Sequence, residues 1–141
     1  MPPESLLQKY LASLYCFRDA GREFVLHVGV RSRELAALQR ARGVRSSAYL
    51  TAWNPASEAL SKEENRSRNA SLRREVESLG LEVLDGEGRS PKRDWCEESF
   101  LILGLERDRA LALARKCGQV AFLHAGIDGV PELVICEEEG A

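Results

Sequence analysis

The chain predicts an α/β (α+β) fold: one sandwich domain of 141 residues in which a mixed sheet of five or six strands carries helices mainly on one face. Three observations carry that expectation. Helix-period and strand-period apolar patterns alternate along the whole chain, with no linker and no internal repeat between them. Glycines at 21, 43, 80 and 118 each follow a helix-period stretch, where a left-handed residue ends a helix. The length suits a single core, and 44% hydrophobic with 30% charged residues is the balance of a soluble folded protein.

Residues 4–18 read as the first helix, with Leu6, Leu7, Tyr10, Leu11, Leu14 and Phe17 on its stripe and Gly21 as its stop. Residues 23–30 alternate as a strand that turns Phe24, Leu26, Val28 and Val30 to one side. His27 lies on the other side, where a histidine is more often a hydrogen-bonded rim residue than a catalyst. Ser32 caps a short helix bearing Leu35 and Leu38 that ends at Gly43. A strand over residues 46–53 follows, so the pair of strands around this helix reads as a parallel βαβ unit. Pro55 cannot extend a ladder and ends that strand.

A long helix over residues 61–79 opens with the capping box Ser61-x-x-Glu64 and closes at Gly80. At 100° per residue, Asn65, Asn69, Leu72, Val76 and Leu79 share its inward stripe, flanked by Arg68. Residues 81–84 form a short strand, and 85–94 a polar, basic loop read as solvated, with a phosphate or nucleic-acid contact as its functional alternative. Gly86-x-Gly88 within it lacks the third glycine of a dinucleotide fingerprint. Residues 95–103 are the most strand-like run; Trp95, Glu97, Ser99 and Leu101 share one face. Residues 106–116 form the last helix, and strands at 119–125 and 132–137 make a hairpin around 126–129. The acidic end, 137–141, reads as frayed.

A net charge of −2 makes a nucleic-acid partner unlikely. The first residues carry Glu4 and Lys9 where a signal peptide would have a basic and then an apolar region, and no apolar run approaches a membrane span. A cytoplasmic location is expected, without membrane attachment. No cofactor is expected. No metal is expected either: Cys16, Cys96, Cys117 and Cys136 form no C-x-x-C pair and have no histidine at ligand spacing. Three of the four fall in predicted helix or strand and read as small buried hydrophobes.

The polar groups that can converge are Asn54, Asn65, Arg68, Asn69, Glu97, Ser99 and Gln119, with Trp53 and Trp95 as flat apolar walls. They predict a polar pocket at the start of the 61–79 helix, and the best-supported function is a small-ligand-binding module, with a nucleotide-like ligand as one option. The alternative is a protein-interaction or regulatory subunit in which the same residues are a structural network. Ranked last is a small enzyme with Glu97 as general base. Arg68 is expected to pair with Glu97, and Asn54 to cluster with Asn65.

The blocks T-A-W-N-P at 51–55, L-S-x-x-E-N-x-x-R-N at 60–69 and W-x-E-x-S-F at 95–100 together resemble an uncharacterised bacterial family known only as a domain of unknown function. The resemblance spans about residues 45–125. It implies a small cytoplasmic bacterial protein and supplies no activity.

Overall fold

The computed structural model describes residues 2–136. The element order is α1 (Glu4–Ala12), β1 (Leu14–Asp19), β2 (Arg22–Leu26), α2 (Arg33–Ala41), β3 (Ser47–Leu50), α3 (Lys62–Ser78), β4 (Glu82–Arg89), β5 (Cys96–Leu103), α4 (Arg107–Lys116), β6 (Ala121–Ala125) and β7 (Pro131–Ile135). A short 3₁₀ turn, Pro55–Ser57, joins β3 to α3. The seven strands form one curled sheet, a half-barrel in the order β2-β1-β4-β5-β3-β6-β7. Every neighbouring pair is antiparallel.

The curl is fixed by backbone bonds between opposite edges. The Gly29 and Ser32 N–H groups, just after β2, donate to Pro131 and Gly129 at 2.8 and 2.9 Å, beside β7. α2 therefore lies inside the curve and plugs one end of it. Its one fully buried polar side chain, Gln39, donates to the Gly126 carbonyl at 2.9 Å and accepts from Ser47 Oγ at 2.7 Å, so each of its polar atoms has a partner. On the convex side, Leu72 and Val76 of α3 and Ala110, Leu113 and Ala114 of α4 pack on Ala48, Leu50, Phe100, Ile102 and Phe122. Tyr15, Phe17, Tyr49, Leu101, Leu103 and Leu123 fill the concave side.

Several expectations are corrected. The sheet has seven strands where five or six were expected, is wholly antiparallel where it was read as mixed, and carries helices on both faces. The 4–18 helix ends at Ala12, and residues 14–19 pair as a strand. Phe17, read from sequence onto the helical stripe, is buried together with Tyr15 and Cys16 in the strand, and the Ala20-Gly21 turn (φ 53° and 79°) is the two-residue type that closes a hairpin onto β2. That hairpin takes β2 to one edge, so β2 and β3 are not neighbours and the βαβ unit does not form. The predicted strands at 23–30 and 46–53 shrink to Arg22–Leu26 and Ser47–Leu50. β4 runs through the expected loop to Arg89, taking Gly86 and Gly88 into the sheet. On α3, Leu79 leaves the stripe: it caps the helix and is 43% exposed. The expected last strand ends at Ile135, and residues 137–141 lie outside those described.

Both ends of α3 match their sequence signals. Ser61 Oγ accepts from the Glu64 N–H at 3.1 Å, and Gly80 follows at φ 79°. Ser61→Ala is expected to lower stability by about 1 kcal/mol in urea unfolding, and an unchanged midpoint would contradict the cap.

Candidate functional site

The amide stripe of α3 is buried and fully bonded. Asn65, 2% exposed, accepts from the Asn54 N–H at 2.8 Å and donates to Asn54 Oδ1 at 2.7 Å. Asn69, 5% exposed, accepts from the Ala52 N–H at 2.7 Å and donates to the Glu98 carbonyl at 2.8 Å. Arg68 donates to the carbonyls of Ala52 and Cys117 at 3.0 and 2.8 Å. The expected clustering of Asn54 with Asn65 is present; the expected Arg68–Glu97 pair is not. A guanidinium beside a strand end and a helix end meets free carbonyls first, and Glu97 projects from the opposite face of the sheet. Glu98 instead meets Arg66, at 3.4 Å. This network locks the exit of β3 to α3 through Asn65, Arg68 and Asn69. Asn69→Ala strands the Ala52 N–H in the interior and is expected to cost about 2 kcal/mol by urea unfolding; a loss under about 0.5 kcal/mol would show that the bonds are replaced.

What the network holds is a strained rim. Asn54, Ala56 and Ser57 have φ of 45°, 54° and 61°, conformations that cost non-glycine residues about 1–3 kcal/mol each. The Ala56 N–H donates to the Gly118 carbonyl at 2.6 Å, and Gln119 Nε2 to the Trp53 carbonyl at 3.1 Å. These bonds clamp the turn to the end of α4.

Inside that rim, on the concave face at the end opposite α2, lies a cavity of about 60 Å³. Tyr10, Tyr15, Tyr49 and Trp95 give it aromatic walls, and Glu97 is the acidic group that lines it. The space exists because of one glycine. In the sheet register Tyr15 faces Gly88 and Gly88 faces Glu97, so a row of three positions has a side chain at each end and none in the middle. Tyr15 and Tyr49 meet edge to face at 5.4 Å, and their hydroxyls donate to the Tyr10 and Cys16 carbonyls at 2.6 and 2.7 Å. The Tyr15 bond, with Ser13 Oγ on the Lys9 carbonyl at 2.6 Å, fixes the end of α1 over the opening. Lys9 Nζ stands 4.4 Å from the centroid of the Trp95 ring.

Burial is the main reason the Glu97 carboxyl is pushed up to about 7, with the Lys9 charge opposing it. Among the described residues no donor or ion-pair partner reaches that carboxylate, whereas every fully buried side-chain polar atom has one. Desolvation likewise raises the Tyr10, Tyr15 and Tyr49 hydroxyls, so all three are neutral donors and acceptors near neutral pH. No group of three metal-ligating side chains occurs among the described residues. The cysteines are free, but only Cys16 is buried. Cys96 is exposed, against expectation, and its hydrogen bond to Glu87 raises the thiol to about 11, which disfavours a nucleophilic thiolate.

Of the nine residues chosen from sequence, Asn54, Trp95, Glu97, Ser99 and Gln119 line the cavity; Asn65, Arg68 and Asn69 support its rim; the Trp53 side chain lies outside it. The sequence reading missed Lys9, Tyr10, Tyr15, Tyr49, Ser57 and Gly88. The Gly86-x-Gly88 spacing was the available signal: period-2 glycines in a strand mark an open place on one face.

A family model described as "Protein of unknown function (DUF3293)" matches residues 50–122, just over half of the chain. That span contains the five polar and aromatic lining residues anticipated from sequence, but not Lys9, Tyr10, Tyr15 or Tyr49. No curated protein and no solved structure matches.

Proposed function

Because the chain belongs to the DUF3293 family, whose description names no function, we propose its role from the cavity: a small-ligand-binding module that takes one compact group against Glu97. The observation that carries the reading is a largely buried carboxyl, with no hydrogen-bond or ion-pair partner among the described residues, in an aromatic cavity that opens to solvent. Desolvation of a charge costs free energy unless a partner returns it, and here the open partner position faces the cavity. At about 60 Å³ the cavity is far below the several hundred Å³ that a nucleotide-sized ligand fills, so a nucleotide-like ligand would insert only one small part.

A thermal-shift screen with metabolites, nucleotides included, tests the reading, because ligands that bind the folded state raise its midpoint by mass action. Ala121 lines the cavity, and Ala121→Phe would fill it. Hits should raise the midpoint of the parent and leave the filled variant unmoved; equal shifts in both would place binding elsewhere. The fully bonded asparagine network supports the alternative of a regulatory subunit in which those residues are structural. A carboxyl with a pKa of about 7 also has the acidity of a general base, which keeps an enzymatic reading in view. Free cysteines suit a reducing, cytoplasmic setting in a bacterium. Among the described residues no helix is long and apolar enough to cross a membrane.

A further inference from the structure

The lining of the cavity also narrows the charge of its ligand. We infer that the group received there is a compact organic cation, an alkylammonium or methylated ammonium, held between the Trp95 ring and the Glu97 carboxylate. The inference rests on the small-ligand reading and deepens it.

Four aromatic side chains surround the space, and their ring faces are the negative ends of their quadrupoles. Such faces attract ammonium groups, most strongly when water is excluded. The groups that face Glu97 are Lys9 and Tyr10 from α1, Tyr15 from β1, Gly88 from β4, Tyr49 from β3 and Ser99 from its own strand. Lys9 is the only cation among them, and it sits on the exposed helix at the mouth. An anion entering would meet the carboxylate in a desolvated place. A cation would find both the carboxylate and the rings.

Lys9 already shows the arrangement from within the protein. Its ammonium lies over the Trp95 ring at 4.4 Å, and its field acts on Glu97. A ligand ammonium would take over the same ring and the same field, more deeply placed, with Lys9 displaced to solvent. Lys9 is then a competitor of the ligand. A phosphate or carboxylate ligand would instead make it an anchor, so removing its charge separates the two cases by sign. Ionisation of Glu97 adds a pH dependence: burial holds its carboxyl near 7, so affinity for a cation should fall about tenfold per pH unit below that value.

The test is an NMR titration that follows the Trp95 indole N–H at fixed ionic strength and pH 8. Propylammonium and tetramethylammonium are the probes; propionate and propionamide are anionic and neutral controls of similar size. The two cations should give saturable shifts. Affinity should weaken at least tenfold in Glu97→Gln and tighten several-fold in Lys9→Met; both replacements preserve size, and Lys9 is exposed, so both variants should fold. Binding of propionate or propionamide at Trp95 without the cations would overturn the cationic assignment and leave the small-ligand reading standing. Weaker cation binding in Lys9→Met would overturn it too. If none of the four probes moves Trp95, the cationic assignment fails, and the small-ligand reading is then decided by the parent and Ala121→Phe screen.

Discussion

Replacing Glu97 by glutamine is expected to stabilise the protein by about 2–3 kcal/mol at pH 8 and to change it little at pH 4. The sign follows from where the proton sits. Glu97 has its folded pKa raised from 4.5 to about 7, mainly by burial. Between those values the folded protein holds a proton that the unfolded chain has released, so stability falls as pH rises from about 4.5 and levels off above about 7. Glutamine is neutral throughout and has almost the same shape, so it removes the fall. Urea unfolding of both proteins from pH 4 to pH 8 measures the difference. A gap that opens with pH is expected; two parallel profiles would show that the carboxylate is as well solvated folded as unfolded. A variant that gains stability by losing a polar group identifies that group as one the fold does not need.

Gly86→Ala should be the most damaging small substitution in the sheet, at about 3 kcal/mol or more. A Cβ at residue 86 would lie 2.2 Å from the Cys16 carbonyl oxygen and 3.1 Å from the Tyr49 hydroxyl, which itself bonds that carbonyl at 2.7 Å. Relief requires β1 to separate from β4. Gly88→Ala is the control: its Cβ would stand 3.8 Å from Ser99 Oγ, an ordinary contact, so it should cost less than about 1 kcal/mol while narrowing the cavity. Comparable losses for the two would contradict the close approach at Gly86.

These glycines also show where sequence reasoning reached and where it stopped. α3 was legible because its signals are local: a cap at Ser61, a stop at Gly80, and a 3.6-residue period that placed Asn65 and Asn69 inward. The face of β5 that carries Glu97 and Ser99 was legible for the same reason. Partners were not. Arg68 could satisfy its donors on carboxylates or on carbonyls, and only the packing of the β3 exit against α4 selects the carbonyls. Residues 14–19 fit a helical stripe as well as a strand, and the choice is made by β2 and β4 on either side. The Gly86–Arg89 stretch looks like a loop by composition and is a strand because β1 needs a close neighbour there. Misplacing those two strands hid Tyr15 and Gly88, and with them the cavity. The lining residues named from sequence, Trp95 among them, therefore form one side of the cavity, and the tyrosines join it only through the antiparallel order of the sheet.

Glu97 is a part-buried carboxyl that faces the cavity with no hydrogen-bond or ion-pair partner among the described residues. A carbon-13 NMR titration of the Glu97 side-chain carboxyl, assigned against Glu97→Gln, measures it directly. A midpoint near 7 is expected, moving down when a cation binds or when pH-independent positive charge is placed beside it. A midpoint near 4.5, unchanged by any of the cationic probes, would mean that water or a protein donor already satisfies the carboxylate, and that the cavity is a gap in packing with no ligand to receive.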